Sequence, residues 1–477
     1  MEVVREVHDY PSQPLHGSRM ANYGTTNMEN VLKKWEKAYS EASLSEHVGK
    51  KQSDDLELYS AAYHKLVHSP ALDTILQTEH TFATVIHRLV KQRDEELDSL
   101  ACKQTEEMSK ALEGLSLGLT EADITAVAKR QQEEHGIEIA SWESQLEIIR
   151  NSQKMEYRTW LMSLLELSYD SPLITPISSP VNETRGIDEI YNTLGQTLQE
   201  SFTIHLGSQM KQMYNIRILP ADVMDFCMLR TNVEGELERQ PQRMQTALGL
   251  YSNDLSGIVL LSDNHFGGFS GVTKDFVSIC EMSTELHFPS VEDQLESIRE
   301  YVKEGIEWRK INAICDSNLL SFSEQQLRKS STKYLQIGDV FITRHSNLSD
   351  VHVVFHMVAD DSLKSGDITS RHPAILGLRN VMKCACSNDV TTLTIPILLS
   401  HEMTEEMSLS WCNKRAELVY KCVKGFMIEM ASWGGSELKN LQFLVPTGIS
   451  EEIFISLAGM VPSIFRVSNP LVLKANA

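Results

Sequence analysis

Residues Gly338 to Met403 read GDVFITRHSNLSDVHVVFHMVADDSLKSGDITSRHPAILGLRNVMKCACSNDVTTLTIPILLSHEM. Two short apolar runs, Val340 to Thr343 and Val351 to Val358, precede a helix-period segment from His372 to Cys386 and a third apolar run, Leu393 to Leu399. Runs of this length, rich in Val, Ile and Phe, are strands; separated by a helical segment, they predict β, β, α, β around a mainly parallel sheet. Thr369 or Ser370 can cap the helix, and Ile375, Leu376, Leu378 and Met382 supply its sheet-facing stripe. The C-terminal half is therefore read as an α/β domain.

Composition bounds the rest. A chain of 477 residues with 42% hydrophobic content has room for two or three domains with packed cores. Its 44 basic and 65 acidic residues give a formal charge of -21, which repels phosphate backbones and argues against a stand-alone nucleic-acid binder. The eight cysteines (Cys102, Cys227, Cys280, Cys315, Cys384, Cys386, Cys412 and Cys422) are scattered without paired CxxC spacing, as expected of reduced, mostly buried thiols in a cytosolic protein. The N-terminal stretch is too polar for a signal peptide, and no apolar run approaches the ~20 residues that cross a bilayer. Neither membrane insertion nor a cofactor is expected, so any visit to a membrane goes through a partner.

Outward from the opening stretch, residues 1–27 carry Pro11, Pro14, Gly17 and Gly24 with little apolar material and read as a flexible tail. Residues 28–167 are rich in Glu, Lys, Gln, Leu and Ala, hold a single proline, Pro70, and read as a helical region broken at Gly114 and Gly118. Within it, Phe82, Ile86, Leu89, Leu97 and Leu100, and later Trp142, Leu146, Ile149, Trp160 and Leu164, recur near every 3.5 residues. That pattern predicts two long helices folded into an antiparallel hairpin or coiled coil, the second starting at Thr120 to Asp123 and weakened by a polar gap at Gln153 and Glu156. Two readings of the stripe stand: an internal bundle core, or a face through Leu89, Leu97 and Leu100 that docks a partner. Residues 168–186 hold Ser171, Thr175 and Ser179 before prolines and read as a linker. Residues 187–477 form the α/β domain, a mixed sheet with an antiparallel hairpin or two. Its further strands are expected at Phe202 to Leu206, Ile216 to Leu219, Gly257 to Leu261, Gln442 to Val445 and Ile464 to Val467.

Few residues invite chemistry. After the Gly257 strand, Asp263 and Asn264 lead through Gly267, Gly268 and Gly271 into a helix, where free N–H groups could face a phosphate. The pattern is neither GxGxxG nor GxxxxGKS, and a loop with positive φ explains the glycines equally well. His401 and Glu402 lack the second histidine of a zinc helix. His345, His352 and His356 have no nucleophile-elbow serine or cysteine nearby in sequence, so satisfied or surface histidines are expected. No catalytic or metal-binding residue emerges.

Longer strings carry a resemblance. KKWEKAYSEASL (33–44), HKLVHSPALDTILQTEH (64–80), ESFTIHLGSQMKQMYNIRIL (200–219), RMQTALGLYSNDLSGIVLLSDN (243–264) and CNKRAELVYKCVKGFMIEMASW (412–433) resemble the subunit 3 family of the FERRY complex. That complex is an endosomal Rab effector and an intermediary for RNA and ribosomes. The resemblance implies a non-enzymatic scaffold subunit that acts by protein–protein interaction, with the other FERRY subunits, notably a coiled-coil sister, as partners. It further implies that the early-endosomal Rab GTPase and mRNA are reached through the complex, so that the protein is cytoplasmic and joins early endosomes through its partners in mRNA transport. The family is also connected with mast cell degranulation. This chain departs from the family in having only about thirty residues before the KKWEKAYSE helix, where relatives carry a further region.

A weaker resemblance is to macro domains, in the order of YLQIGDVFITRHSNLSDVHVVFHMVADD, AILGLRNVMKCA and VTTLTIPILLS. It implies a degenerate, macro-like scaffold, because Leu398 and Leu399 stand where ADP-ribose binders place small residues and glycine. The alternative function it carries is ADP-ribose binding or hydrolysis with Asp263, Asn264, Gly267, Gly268 and Gly271 around the phosphates.

Overall fold

The computed structural model describes residues 50–114, 120–170, 198–206, 212–263, 271–316, 335–364, 368–432 and 438–465. The expected tail over 1–27, and all of the expected linker after residue 170, lie outside them.

Among the described residues, the first half is three helices: α1 (Lys50–Val67), α2 (Leu72–Gly114) and α3 (Glu121–Asp170). Pro70 sits at the corner between α1 and α2, where Ser69 bonds back to the Leu66 carbonyl and its hydroxyl accepts from Ala71 N. Thr120 starts α3 with a capping box: its N–H donates to Asp123 Oδ2 at 2.9 Å and its hydroxyl accepts from Asp123 N. Helices α2 and α3 pair as the expected antiparallel hairpin, Gln104 with Gln131 at one end and Glu79 with Tyr157 at the other.

The second half, over its described residues, is built on a seven-stranded sheet. Its strands are β1 (Glu200–Leu206), β2 (Gln212–Pro220), β3 (Leu255–Ser262), β4 (Val340–Arg344), β5 (Val353–Val358), β6 (Val390–Pro396) and β7 (Asn440–Val445), in the order β1-β2-β7-β6-β3-β5-β4. The inner strands run parallel, and β1 with β2 and β4 with β5 form antiparallel hairpins at the edges. Side chains alternate between faces. Ile216, Ile218, Leu393, Ile395, Leu441 and Phe443 face one core, under α7 (Pro373–Ser387), α8 (Leu409–Ser432) and α9 (Glu451–Phe465). Leu219, Ile258, Leu260, Val354 and Leu444 face the other, under α5 (Gly271–Glu281) and α6 (Val291–Asp316). A short α4 (Pro241–Gly249), too polar to stand out in the sequence, lies toward the helical half.

Several expectations shift. Helix α7 is capped by His372, whose Nδ1 accepts from Ala374 N at 3.2 Å, and not by Thr369 or Ser370. Pro373 at the first helical position brings the start there, and Thr369 instead closes the preceding turn through its carbonyl. Leu376 is exposed; the buried face of α7 is Ala374, Ile375, Leu378, Val381, Met382 and Ala385. The third strand of the opening stretch is Val390–Pro396 rather than Leu393 to Leu399, because Pro396 has no N–H to extend the ladder and Leu399 turns at φ 52. Of the strand expected from Ile464 to Val467, Ile464 and Phe465 are the end of α9, where Phe454, Leu457, Ala458, Val461 and Phe465 keep helical spacing past Pro462, and the rest lies outside the described residues. Gly338 and Gly377 allow α7 to touch the β4 entry: a Cβ on Gly338, at φ +85, would stand 2.2 Å from the Pro373 carbonyl oxygen.

Candidate functional site

The glycine-rich loop is described only at its ends. Asp263 follows β3, and Gly271 opens α5 at φ +56 with open space where a Cβ would stand. The backbone there takes the left-handed form that glycine permits. Asn264, Gly267 and Gly268 lie outside the described residues. Next to this loop is the C-terminal end of β3 and β6, the region where open α/β sheets bind ligands. Here it holds the chain's own side chains. Leu398 and Leu399 are buried, and His401 Nε2 accepts from Leu261 N at 3.0 Å. Because β6 stops at Pro396, this imidazole takes a strand N–H that lacks a ladder partner; desolvation pushes its pKa down to about 4, which keeps it a neutral acceptor.

The three histidines near β4 and β5 are structural. His352 Nδ1 accepts from Ser256 N at 3.0 Å, and its Nε2 donates to the Thr246 carbonyl at 2.8 Å. His345 and His356 both reach Thr343 Oγ1, at 2.8 and 2.9 Å, and burial pushes each to about 3. Cys280 Sγ lies 3.8 Å from His345 Nδ1, but burial raises the thiol well above its usual range, the opposite of what a nucleophile needs. Among the described residues, no group of three or more His, Cys, Asp or Glu is placed to hold a metal ion.

The densest polar construction joins the helical hairpin to the α/β half. Glu79 of α2 is buried and accepts from Tyr63 Oη at 3.3 Å, Tyr157 Oη at 2.7 Å and Arg243 Nη2 at 3.1 Å. Arg243, from α4, also donates to the carbonyls of Ser346 and Leu348 at 2.8 and 2.5 Å, so one guanidinium ties α2 to the loop between β4 and β5. His287 sits among the rings of Tyr59, Tyr63, Tyr157 and Tyr251, where desolvation lowers it to about 3. Buried Glu285 fixes the same loop by accepting from Ser346 N at 2.7 Å and from His287 N and Phe288 N at 3.1 Å each. A cavity of about 520 Å³ lies along this seam, lined in part by Asp73, His80, Arg239 and Asn347.

The polar gap expected to weaken α3 is part of this seam. Gln153 is buried; its Nε2 donates to the Phe82 carbonyl at 3.3 Å, and its Oε1 accepts from Thr284 at 2.6 Å. It therefore binds both the hairpin and the α/β half, while Glu156 points to solvent. The sequence singled out neither Glu79, Arg243 nor His287, since each owes its role to a partner far away in the chain. Of the leucines proposed for docking, Leu89 packs with Ile86, Val90, Leu146 and Ile149 inside the hairpin, and Leu97 and Leu100 are half-buried. The large apolar side chains most open to solvent on α3 are Ile137, Ile148 and Met155, at 70%, 66% and 74% exposure.

Comparison with known proteins adds the family. Residues 8–471 match the profile described as Ferry endosomal RAB5 effector complex subunit 3. The chain belongs to this family. It is 42% identical to the Homo sapiens protein of that description over 464 residues, which are 95% of this chain and 83% of the relative. The Mus musculus protein is likewise 42% identical, over 465 residues. Among solved structures, an Oceanobacillus iheyensis macrodomain with MES bound aligns with 56% of this chain and 99% of its own, at 11% identity and a TM-score of 0.29. The α/β assignment rests on the strand order of the sheet and takes nothing from that likeness.

Proposed function

We propose that the chain is a non-catalytic, structural subunit of a FERRY-type RAB5 effector complex that links mRNAs and ribosomes to early endosomes. The observation that carries this reading is the family match, with 42% identity maintained over 95% of the chain. The construction supports it. Helices of 43 and 50 residues stand on an α/β base, held by Glu79, Arg243, Gln153 and Glu285, a rigid mount for partner chains. RNA is reached through other subunits, because a net charge of -21 leaves the isolated chain poorly suited to phosphate contacts, and contact with the RAB5 GTPase is assigned to those subunits as well. Partner docking belongs to the hairpin. At Leu89, Leu97 and Leu100, lysine substitution separates the two readings of that stripe: loss of folding marks a core, and loss of partners from a folded chain marks a docking face.

The test is purification of the tagged full chain from its own cells under native conditions, with mass spectrometry of what accompanies it. Recovery of the remaining subunits in constant ratio is the expected result. A chain that purifies alone under conditions that preserve the complex overturns the reading. Purified chain and reconstituted complex are then compared on one transcript at low and physiological salt, with binding expected of the complex only. Equal binding by the isolated chain refutes the indirect route to RNA.

A further inference from the structure

Helix α3 has two faces with different partners. Trp142, Leu146, Gln153 and Tyr157 are buried against α2 and the α/β half. On the opposite side, Ile137, Ser141, Ser144, Ile148, Asn151 and Met155 follow each other at alternating steps of four and three residues, and all six are exposed. Those steps are the a and d positions of a heptad, and they align along about 27 Å of helix. None of the six is charged, in a chain where 23% of residues are, so the stripe departs from an ordinary solvated face. The serines keep the ridge low enough for a second helix to approach closely, and Asn151 at a d position would select register.

The charges beside the stripe decide what fits. Glu138 and Glu147 occupy the flanking e and g positions, and Glu143 and Glu156 lie farther round. The nearby cations are engaged by the chain itself: Arg150 donates to the Glu281 carbonyl at 2.6 Å, Lys154, at a g position, donates to the carbonyl of Phe288, and Arg158, exposed three residues beyond Met155, lies 5.0 Å over the Tyr59 ring. The open face is thus an uncharged seam, with Ile137, Ile148 and Met155 separated by Ser141, Ser144 and Asn151, and Glu138 and Glu147 stand beside it. A second copy in parallel would set Glu133, at a g position, against Glu138 at e of the other helix, which disfavours self-pairing.

We infer that the outer face of α3 from Ile137 to Met155 docks a basic amphipathic helix of a partner subunit in coiled-coil fashion. This rests on the reading of the chain as a complex subunit. The partner helix carries aliphatic residues at a and d and Lys or Arg at e and g, meeting Glu138 and Glu147.

The test uses the full chain with Ile148→Lys and Met155→Lys together, and Ile148→Leu with Met155→Leu as the conservative pair. Both positions are exposed, so thermal unfolding should match that of the parent. The probe is a synthetic heptad peptide with Ile and Leu at a and d and Lys at e and g, followed by fluorescence anisotropy. A second peptide with Glu at e and g is the control. The lysine pair should weaken binding of the basic peptide at least about tenfold per side chain removed from the seam, the leucine pair should retain it, and the acidic peptide should not bind. Binding indifferent to the lysine pair, or no binding by the parent, overturns the inference. So does a parent dimer in sedimentation that the lysine pair dissociates, since the occupant is then a second copy. In parallel, native purification of the lysine variant should lose at least one subunit that the parent recovers. If the parent recovers its subunits and the variant loses none, the docking face is wrong while the complex-subunit reading stands.

Discussion

Replacing Glu79 with alanine tests the joint between the two halves directly. The carboxylate is 8% exposed and accepts from Tyr63, Tyr157 and Arg243, whose own side chain is 19% exposed. Its removal leaves the guanidinium, among the described residues, with the Ser346 and Leu348 carbonyls and deprives two phenols of their acceptor. Breaking a buried ion pair on one side costs about 3–5 kcal/mol, and each orphaned hydroxyl adds a part of the ~1–3 kcal/mol penalty for an unsatisfied group. The adjacent cavity of about 520 Å³ offers water a route to the orphaned groups, which places the expected loss near the lower end, about 3 kcal/mol. Glu79→Gln keeps the shape and one acceptor oxygen and should cost about half of that, ~1–2 kcal/mol. Equilibrium urea unfolding by fluorescence and circular dichroism measures both. Hydrogen exchange should rise first in α1 and the N-terminal turns of α2, with the sheet still protected. An alanine variant within about 0.5 kcal/mol of the parent refutes the reasoning, as does a Glu79→Ala, Arg243→Ala cycle that is additive within about 0.5 kcal/mol.

His401→Ala should leave the Leu261 N–H without its acceptor and cost ~1–3 kcal/mol, with faster amide exchange at Leu261; unchanged exchange would show that the imidazole is dispensable. Gly338→Ala forces a side chain to φ +85 and against the Pro373 carbonyl, so a loss of ~2–4 kcal/mol is expected, and a variant as stable as the parent contradicts the close contact of α7 with β4. Stability should fall between pH 7.5 and pH 5. His287, His345 and His356 titrate at about 3 and His401 at about 4 in the folded chain, against an ordinary value near 6.5. Below about 6.5 the unfolded chain takes up protons that the folded chain refuses until about 4, so stability present above that range is lost as pH falls through it. Asp350, raised to about 6 by burial, works in the opposite sense, as do the raised carboxyls of Glu281 and Glu285. Four imidazoles outweigh them, and a urea midpoint at pH 5 equal to or above that at pH 7.5 would refute the balance.

Elements with a strong local period were legible from sequence. The two long helices, the break before Thr120 and the strands near Ile216, Gly257, Val340 and Gln442 all stand where periodicity and capping residues put them. Spacing of apolar residues is a property of neighbours in the chain, so it survives without a tertiary structure. Errors came where a local pattern had more than one physical solution. The apolar run after Thr392 could continue as strand until Pro396 ended its ladder, and Ile464 could be strand or helix until Val461 and Phe465 were both buried on α9.

Sequence also carried the family, through long strings that no single motif matches. The joint was another matter. Nothing within ten residues of Gln153 shows that it is buried; that depends on Thr284, and Glu79 likewise depends on Arg243. A polar side chain at a helical position is solvated or buried according to what packs over it, and those partners come from distant parts of the chain. Tertiary structure alone therefore decided which face of α3 is the seam and which, from Ile137 to Met155, is left open.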